Sequence, residues 1–169
     1  MVSRILNIVI VVLISGLVIQ YIYKIPKFTK GNKAPDFSTI DIEGQQFNLY
    51  NRPLSDYTLI NFWGSWCAPC RRKNKEIAKL SKDYSAEQLM IVGLAIERND
   101  KTFRNAIEVD SIQSIIHLPQ LNYFSSEIAK LYGVREIPTS YLVNQKNQIV
   151  AVNPTIKNIH SILADKKTN

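Results

Sequence analysis

Cysteine is nearly missing from this chain. Of its 169 residues only Cys67 and Cys70 are cysteine, with two residues between them. So low a count excludes a scaffold held by several disulfides and a zinc site made of four cysteines. It leaves no stray thiol, and by itself it does not fix the redox compartment. Histidine is as rare. His117 and His160 are isolated, neither is spaced with the cysteines as a local metal motif, and both read as structural or surface residues; no metal site is expected. Internal repeats and low-complexity segments are absent. Acidic residues are outnumbered 14 to 21, for a net charge of +7. Taking away Arg4, Lys24, Lys27, Lys30 and Lys33, which lie in or beside the N-terminal apolar segment, leaves 16 basic residues against 14 acidic. The excess therefore flanks that segment rather than forming a nucleic-acid-binding face, and no nucleic-acid partner is expected.

What is present begins with that segment. Residues 5–23 are nearly all Ile, Val and Leu, broken by Asn7, Ser15, Gly16 and Gln20. As a helix they would span roughly 28 Å, about a bilayer's hydrocarbon core. Tyr21 and Tyr23 stand where interfacial aromatics belong. No small-x-small cleavage site follows, which favours an uncleaved anchor over a signal peptide. The expected organisation is a transmembrane anchor over 1–23, a basic tether over 24–33 and one domain over 34–169. The length and the apolar share of 46% suit such a domain.

Within the domain, residues 37–49 read as two short strands around Glu43-Gly44. Residues 59–63 and 89–96 are continuous apolar runs suited to buried parallel strands. Cys67 opens a helix running to about Tyr84, with Ile77, Leu80 and Tyr84 on one face. A helix is expected over 100–109 with Asp100 as its cap, irregular chain over 111–123 around Pro119, and a short helix over 125–132 stopped by Gly133. A hairpin over 140–152 turning at 144–147 and a helix over 155–164 complete an α/β sheet covered on both faces.

Both cysteines fall where a strand passes through a short loop into a helix. A cysteine at a helix start meets the positive end of the macrodipole, which favours its thiolate, the nucleophile of disulfide exchange. Cys67 is thus expected to attack and Cys70, one turn on, to resolve. Pro69 stiffens the helix start, where its missing N–H leaves nothing unpaired. Trp66 is expected to shield Cys67 or contact a partner, and Trp63 to pack in the core. Arg71, Arg72, Lys73 and Lys75 crowd the turn after Cys70, most of them read as a solvated face.

The run Leu59-Ile-Asn-Phe-Trp-Gly-Ser-Trp-Cys-Ala-Pro-Cys70, followed by Ile137-Pro138-Thr139, resembles the thioredoxin superfamily. Within it the chain is most similar to the TlpA/ResA-like membrane-anchored thiol-disulfide oxidoreductases. Gly31-Asn-Lys-Ala-Pro-Asp-Phe with the hairpin at Gly44 resembles their N-terminal extension, Asn61 stands where thioredoxin itself has a buried Asp, and the stretch between Leu89 and Pro138 has room for their insertion. The resemblance covers about residues 31–165. It implies a thioredoxin-like α/β fold: a central mixed sheet flanked by helices, with an N-terminal β-hairpin extension and the transmembrane helix. Pro138 resembles the family's cis-proline, with Ile137 offering edge hydrogen bonds to a client, and Glu97 is expected to accept the Cys70 proton. No cofactor beyond the Cys67–Cys70 disulfide is implied. The implied partners are protein disulfide clients, apocytochrome c among them, and a membrane or soluble thiol-disulfide electron donor.

Orientation is contested in the sequence. Arg4 faces four lysines across the apolar run, which by the positive-inside rule would leave the domain in the cytoplasm, yet long domains translocate largely regardless of charge. The expectation is a single-pass protein with its catalytic domain on the extracytoplasmic (periplasmic) side. Two rivals have residues behind them. Thiolates suit copper(I), and His117 offers a third ligand for a copper-binding chaperone of the same fold. Ala34-Pro-Asp-Phe37 resembles peroxiredoxins as well, but their Pro-x-x-x-Thr-x-x-Cys site is missing.

Overall fold

The computed structural model describes residues 2–24 and 26–166, without the side chains of 2, 3, 5, 22–24 and 166. The N-terminal apolar run forms α1 (Val2–Lys24). The expected transmembrane anchor is corrected here: among the described residues no helix is long and apolar enough to cross a membrane. Asn7, Ser15, Gly16 and Gln20 dilute the apolar character of α1. With the anchor goes the basis for a single-pass membrane location and for a side of the membrane. The Tyr23 side chain lies outside the described residues.

The domain is built on a sheet of five strands in the order β5-β4-β3-β6-β7. In chain order these are β3 (Tyr57–Trp63), β4 (Leu89–Ile96), β5 (Ile116–Gln120), β6 (Thr139–Asn144) and β7 (Ile149–Val152). A separate hairpin of β1 (Ser38–Ile40) and β2 (Gln46–Asn48) precedes them. Its turn uses Gly44 at φ 83°, a conformation that favours glycine. The pairs β3–β4 and β4–β5 are parallel, and β3–β6 and β6–β7 antiparallel, so the expected mixed sheet forms.

Side-chain alternation divides the core into two layers. Ile60, Phe62, Val92, Leu94, Tyr141 and Val143 face one side, where α4 (Glu127–Tyr132) and the segment through Ala34, Phe37, Phe47 and Leu49 cover them. Leu59, Trp63, Ile91, Ala95 and Leu142 face the other, beneath α2 (Ala68–Asp83), α3 (Asp100–Asp110) and α5 (Ile156–Lys166). Both cysteines belong to this second layer.

Two local readings change. The stretch expected to be irregular contains β5 with Pro119 inside it, paired with Ala95. β5 is an edge strand, where a proline need donate nothing to a neighbour. The cap of α3 is Asn99, whose Oδ1 accepts from the amides of Lys101 at 2.8 Å and Thr102 at 3.4 Å, while Asp100 becomes the first helical residue and pairs with Arg104. The stretch read as a tether is fastened at its end. Gly31 donates to Ile149 O and Ile149 to Asn32 O, each at 2.8 Å, and Lys33 bridges Gln148.

Candidate active site

Seven buried or half-buried residues of β3 run straight to Trp63, and the chain then turns through Gly64, Ser65 and Trp66 into Cys67. Gly64 is required by close approach. A Cβ there would sit 2.7 Å from Trp66 Nε1 and 3.1 Å from Ile137 Cδ1. Cys67 is the residue before α2, with Pro69 in the first turn. Its Sγ accepts the backbone N–H of Cys70 at 3.2 Å. The two cysteines form a disulfide across Cα atoms 5.2 Å apart. Cys67 is 6% exposed and Cys70 fully buried, so reagents reach Cys67 first.

The Ile137–Pro138 peptide is cis. It carries Ile137 O to 3.8 Å from Cys67 Sγ, which places the start of β6 against the cysteines. Trp66 lies over the loop, half exposed. It donates from Nε1 to Ile96 O at 2.9 Å and packs on Tyr123 and Phe124, with ring centroids 5.1 and 6.3 Å away. Arg98 stacks on the other ring of this group, 4.5 Å from the Tyr123 centroid. Trp66, Arg98 and Tyr123, together with Glu97, Asn99 and Asn105, line a cavity of about 610 Å³ beside the loop. Trp63 is fully buried, as expected for core.

Glu97 follows β4 and is 1% exposed. Its carboxylate accepts from both the backbone N–H and the hydroxyl of Ser65, the latter at 2.9 Å. The Glu97 carboxylate is thus hydrogen-bonded to Ser65, in the loop that enters the cysteines. Burial raises its pKa, and the two Ser65 hydrogen bonds partly offset the rise.

The basic cluster after Cys70 is not mainly a solvated face. Arg71 and Lys75 both grip the buried Asp110 at the end of α3, with Arg71 Nη2 at 2.9 Å and Lys75 Nζ at 3.0 Å, and they hold its carboxyl below the usual range. Lys73 turns inward and donates to Ser140 Oγ at 2.9 Å, its pKa lowered by desolvation. Asn74 is fully buried and receives a 2.8 Å hydrogen bond from Asn61 Nδ2. Lys73 is expected from the sequence only as one of the basic cluster, and Asn74 and Ser140 are not anticipated there as neighbours of the site. The available signal was helical spacing: Asn74 follows Cys70 by four residues and precedes the apolar Ile77 by three, which puts Asn74 on the inward face.

His117 is buried against Trp63 and Phe103, its Nε2 on Ile112 O at 3.0 Å, and burial lowers its pKa to about 4. Among the described residues no three His, Cys, Asp or Glu side chains are grouped to hold a metal ion. His160 pairs with the Tyr84 hydroxyl at 2.6 Å.

A cysteine pair capping a helix beside a cis-proline, on this sheet, makes the molecule a thiol-disulfide oxidoreductase of thioredoxin-like fold. The chain belongs to the AhpC/TSA family, which it matches over residues 30–152. It is 27% identical over 130 residues to the thiol-disulfide oxidoreductase ResA of Bacillus thuringiensis subsp. konkukian, a span of 77% of this chain and 72% of that one. To the thioredoxin-like protein YneN of Bacillus subtilis it is 28% identical over 123 residues, 71% of this chain and 68% of that one. The solved thiol-disulfide oxidoreductase from Bacteroides fragilis superimposes with a TM-score of 0.71 at 26% identity, covering 80% of this chain and 99% of the other. These similarities agree with the TlpA/ResA-like resemblance read from the motifs.

Proposed function

We propose that the protein reduces disulfides in protein clients, with Cys67 attacking and Cys70 resolving. The observation that carries this reading is the Cys70 N–H directed at Cys67 Sγ at 3.2 Å, at the positive end of α2. An N–H donor and a helix dipole both favour negative charge on that sulfur. The Cys67 thiolate attacks one client sulfur, and the other leaves as a thiolate. Cys70 then gives up its proton and attacks Cys67 Sγ; the protein disulfide re-forms and the client's first sulfur is released reduced. Ile137 O beside Cys67 supports an extended client segment pairing along the start of β6. Trp66, half exposed next to the nucleophile, supplies the apolar contact. Pro69 holds the helix start in place. Apocytochrome c is the client class suggested by the family resemblance.

Trapping tests this. In Cys70→Ser, Cys67 is expected to accumulate as mixed disulfides with client cysteines, released by dithiothreitol and identified by mass. Haem-binding motifs among the trapped peptides support the apocytochrome client. Trapping at residue 70 in Cys67→Ser and none in Cys70→Ser would reverse the roles.

A further inference from the structure

The polar layer behind the disulfide contains an anomaly. Asn61 is 1% exposed and Asn74 is fully buried, and each is only half satisfied. Asn61 Nδ2 donates to Asn74 Oδ1 at 2.8 Å, while Asn61 Oδ1 and Asn74 Nδ2 have no hydrogen-bond partner among the described residues. A free acceptor and a free donor are therefore left in the core, where each is costly unless something relieves it. Both belong to the layer that holds the cysteines. Asn61 shares its face of β3 with Leu59 and Trp63, which cluster with Cys67 and Cys70. Asn74 lies one helical turn beyond Cys70 on α2, at the spacing that makes two side chains neighbours.

The disulfide cannot satisfy Asn61 Oδ1, because Cys70 Sγ carries no proton in that state, and Asn74 Nδ2 makes no hydrogen bond to its sulfur. Reduction by an external dithiol breaks the Sγ–Sγ bond and oxidises the dithiol to its own disulfide. Of the dithiol's two protons, one stays on Cys70 and the other leaves to solvent as Cys67 ionises. The fully buried Cys70 then holds an S–H donor that the disulfide lacked. We propose that Asn61 and Asn74 form a redox-tuning pair whose free acceptor, Asn61 Oδ1, is unsatisfied in the disulfide and accepts from the Cys70 thiol in the dithiol, with Asn74 Oδ1 holding the Asn61 amide in place through their 2.8 Å hydrogen bond. The pair favours the reduced state of the protein and makes its disulfide easier to reduce. This deepens the proposed reaction and rests on the cysteines cycling between the two states. The measurement needs no client, so a failed trapping experiment leaves it interpretable.

The test replaces both amides by apolar residues, Asn61→Val with Asn74→Leu, and measures the equilibrium of the full chain with dithiothreitol at one pH. The disulfide is expected to gain about tenfold over the dithiol relative to the unsubstituted protein, roughly 30 mV toward a more negative potential. A purely structural pair would lower the stability of both redox forms alike and leave the potential unmoved. A potential within about twofold of the original in a folded variant, or a shift in the other direction, overturns the proposal. So does an internal water satisfying the amides in both states, since that also leaves the potential unmoved. Should the double variant not fold, side-chain amide resonances of the unsubstituted protein decide. Those of Asn61 and Asn74 are expected to shift on reduction, and unchanged resonances refute the assignment.

Discussion

Glu97 is a buried carboxylate whose surroundings set its hold on a proton. It is enclosed, and its two hydrogen bonds come from Ser65, two residues before the nucleophile. Burial outweighs those bonds, so the folded protein holds the proton more tightly than the unfolded chain. The sign for stability follows. Below the ordinary carboxylate value both states are protonated and nothing is lost. As pH rises through the raised folded value, the unfolded chain has already ionised and the folded one resists, so stability falls. Urea unfolding over this range is expected to show that decline and Glu97→Gln to remove it, because the amide can still accept from Ser65. The same variant examines the proton-acceptor role. If Glu97 takes the Cys70 proton, client reduction in Glu97→Gln loses its dependence on pH across the same window; an unchanged profile removes the role.

At the scale of elements, the cysteine helix is held at both ends of its second turn. Inward, Lys73 and Asn74 reach β6 and β3; sideways, Arg71 and Lys75 close on Asp110 of α3. Asp110→Ala is expected to destabilise the protein by about 1–2 kcal/mol, the low end for charged hydrogen bonds, because both cations remain exposed enough to hydrate. Its contribution has the opposite pH sign from Glu97. The carboxyl is held below its usual value, so the stabilisation is present at neutral pH and is lost as pH falls through the folded value. Denaturant midpoints for Asp110→Ala and the original protein should therefore converge in acid. The clasp also marks what the sequence made legible. The helix itself, β4 and the closing hairpin could be read from apolar periodicity, and the cysteine pair from its position between strand and helix. The targets of long polar side chains could not be read, because Asp110, Ser140 and Asn61 reach α2 through tertiary packing and leave no local pattern. β5 stayed hidden because Pro119 argues against a strand until its place at the sheet edge is known. The apolar N-terminal run was legible as helix α1, but its composition over residues 5–23 was misleading as a membrane span.

For the molecule as a whole, the sheet separates two kinds of work. The disulfide, the amide pair and α2 lie on one face. On the other, the chain from Gly31 crosses the sheet: residues 31–34 line β7, and the β1–β2 hairpin reaches β5, with Ile42 donating to His117 O at 3.2 Å. One segment thus covers both sheet edges, which would otherwise offer unpaired backbone to another chain. Phe37 fastens this crossing. It is 6% exposed and sits 5.9 Å from Phe47 and 6.0 Å from Tyr132 between ring centroids. Phe37→Ala is expected to cost about 3–5 kcal/mol, the range for deleting a buried phenylalanine. Its effect on the dithiothreitol equilibrium should be nil, because the β3–β4–β6 layer stands between Phe37 and the cysteines and a loss shared by both redox forms cancels. Unfolding midpoints and the redox equilibrium, measured on the same protein, separate these outcomes. A changed potential in Phe37→Ala would mean that the two faces are coupled through the sheet and that stability and electron transfer cannot be adjusted independently in this fold.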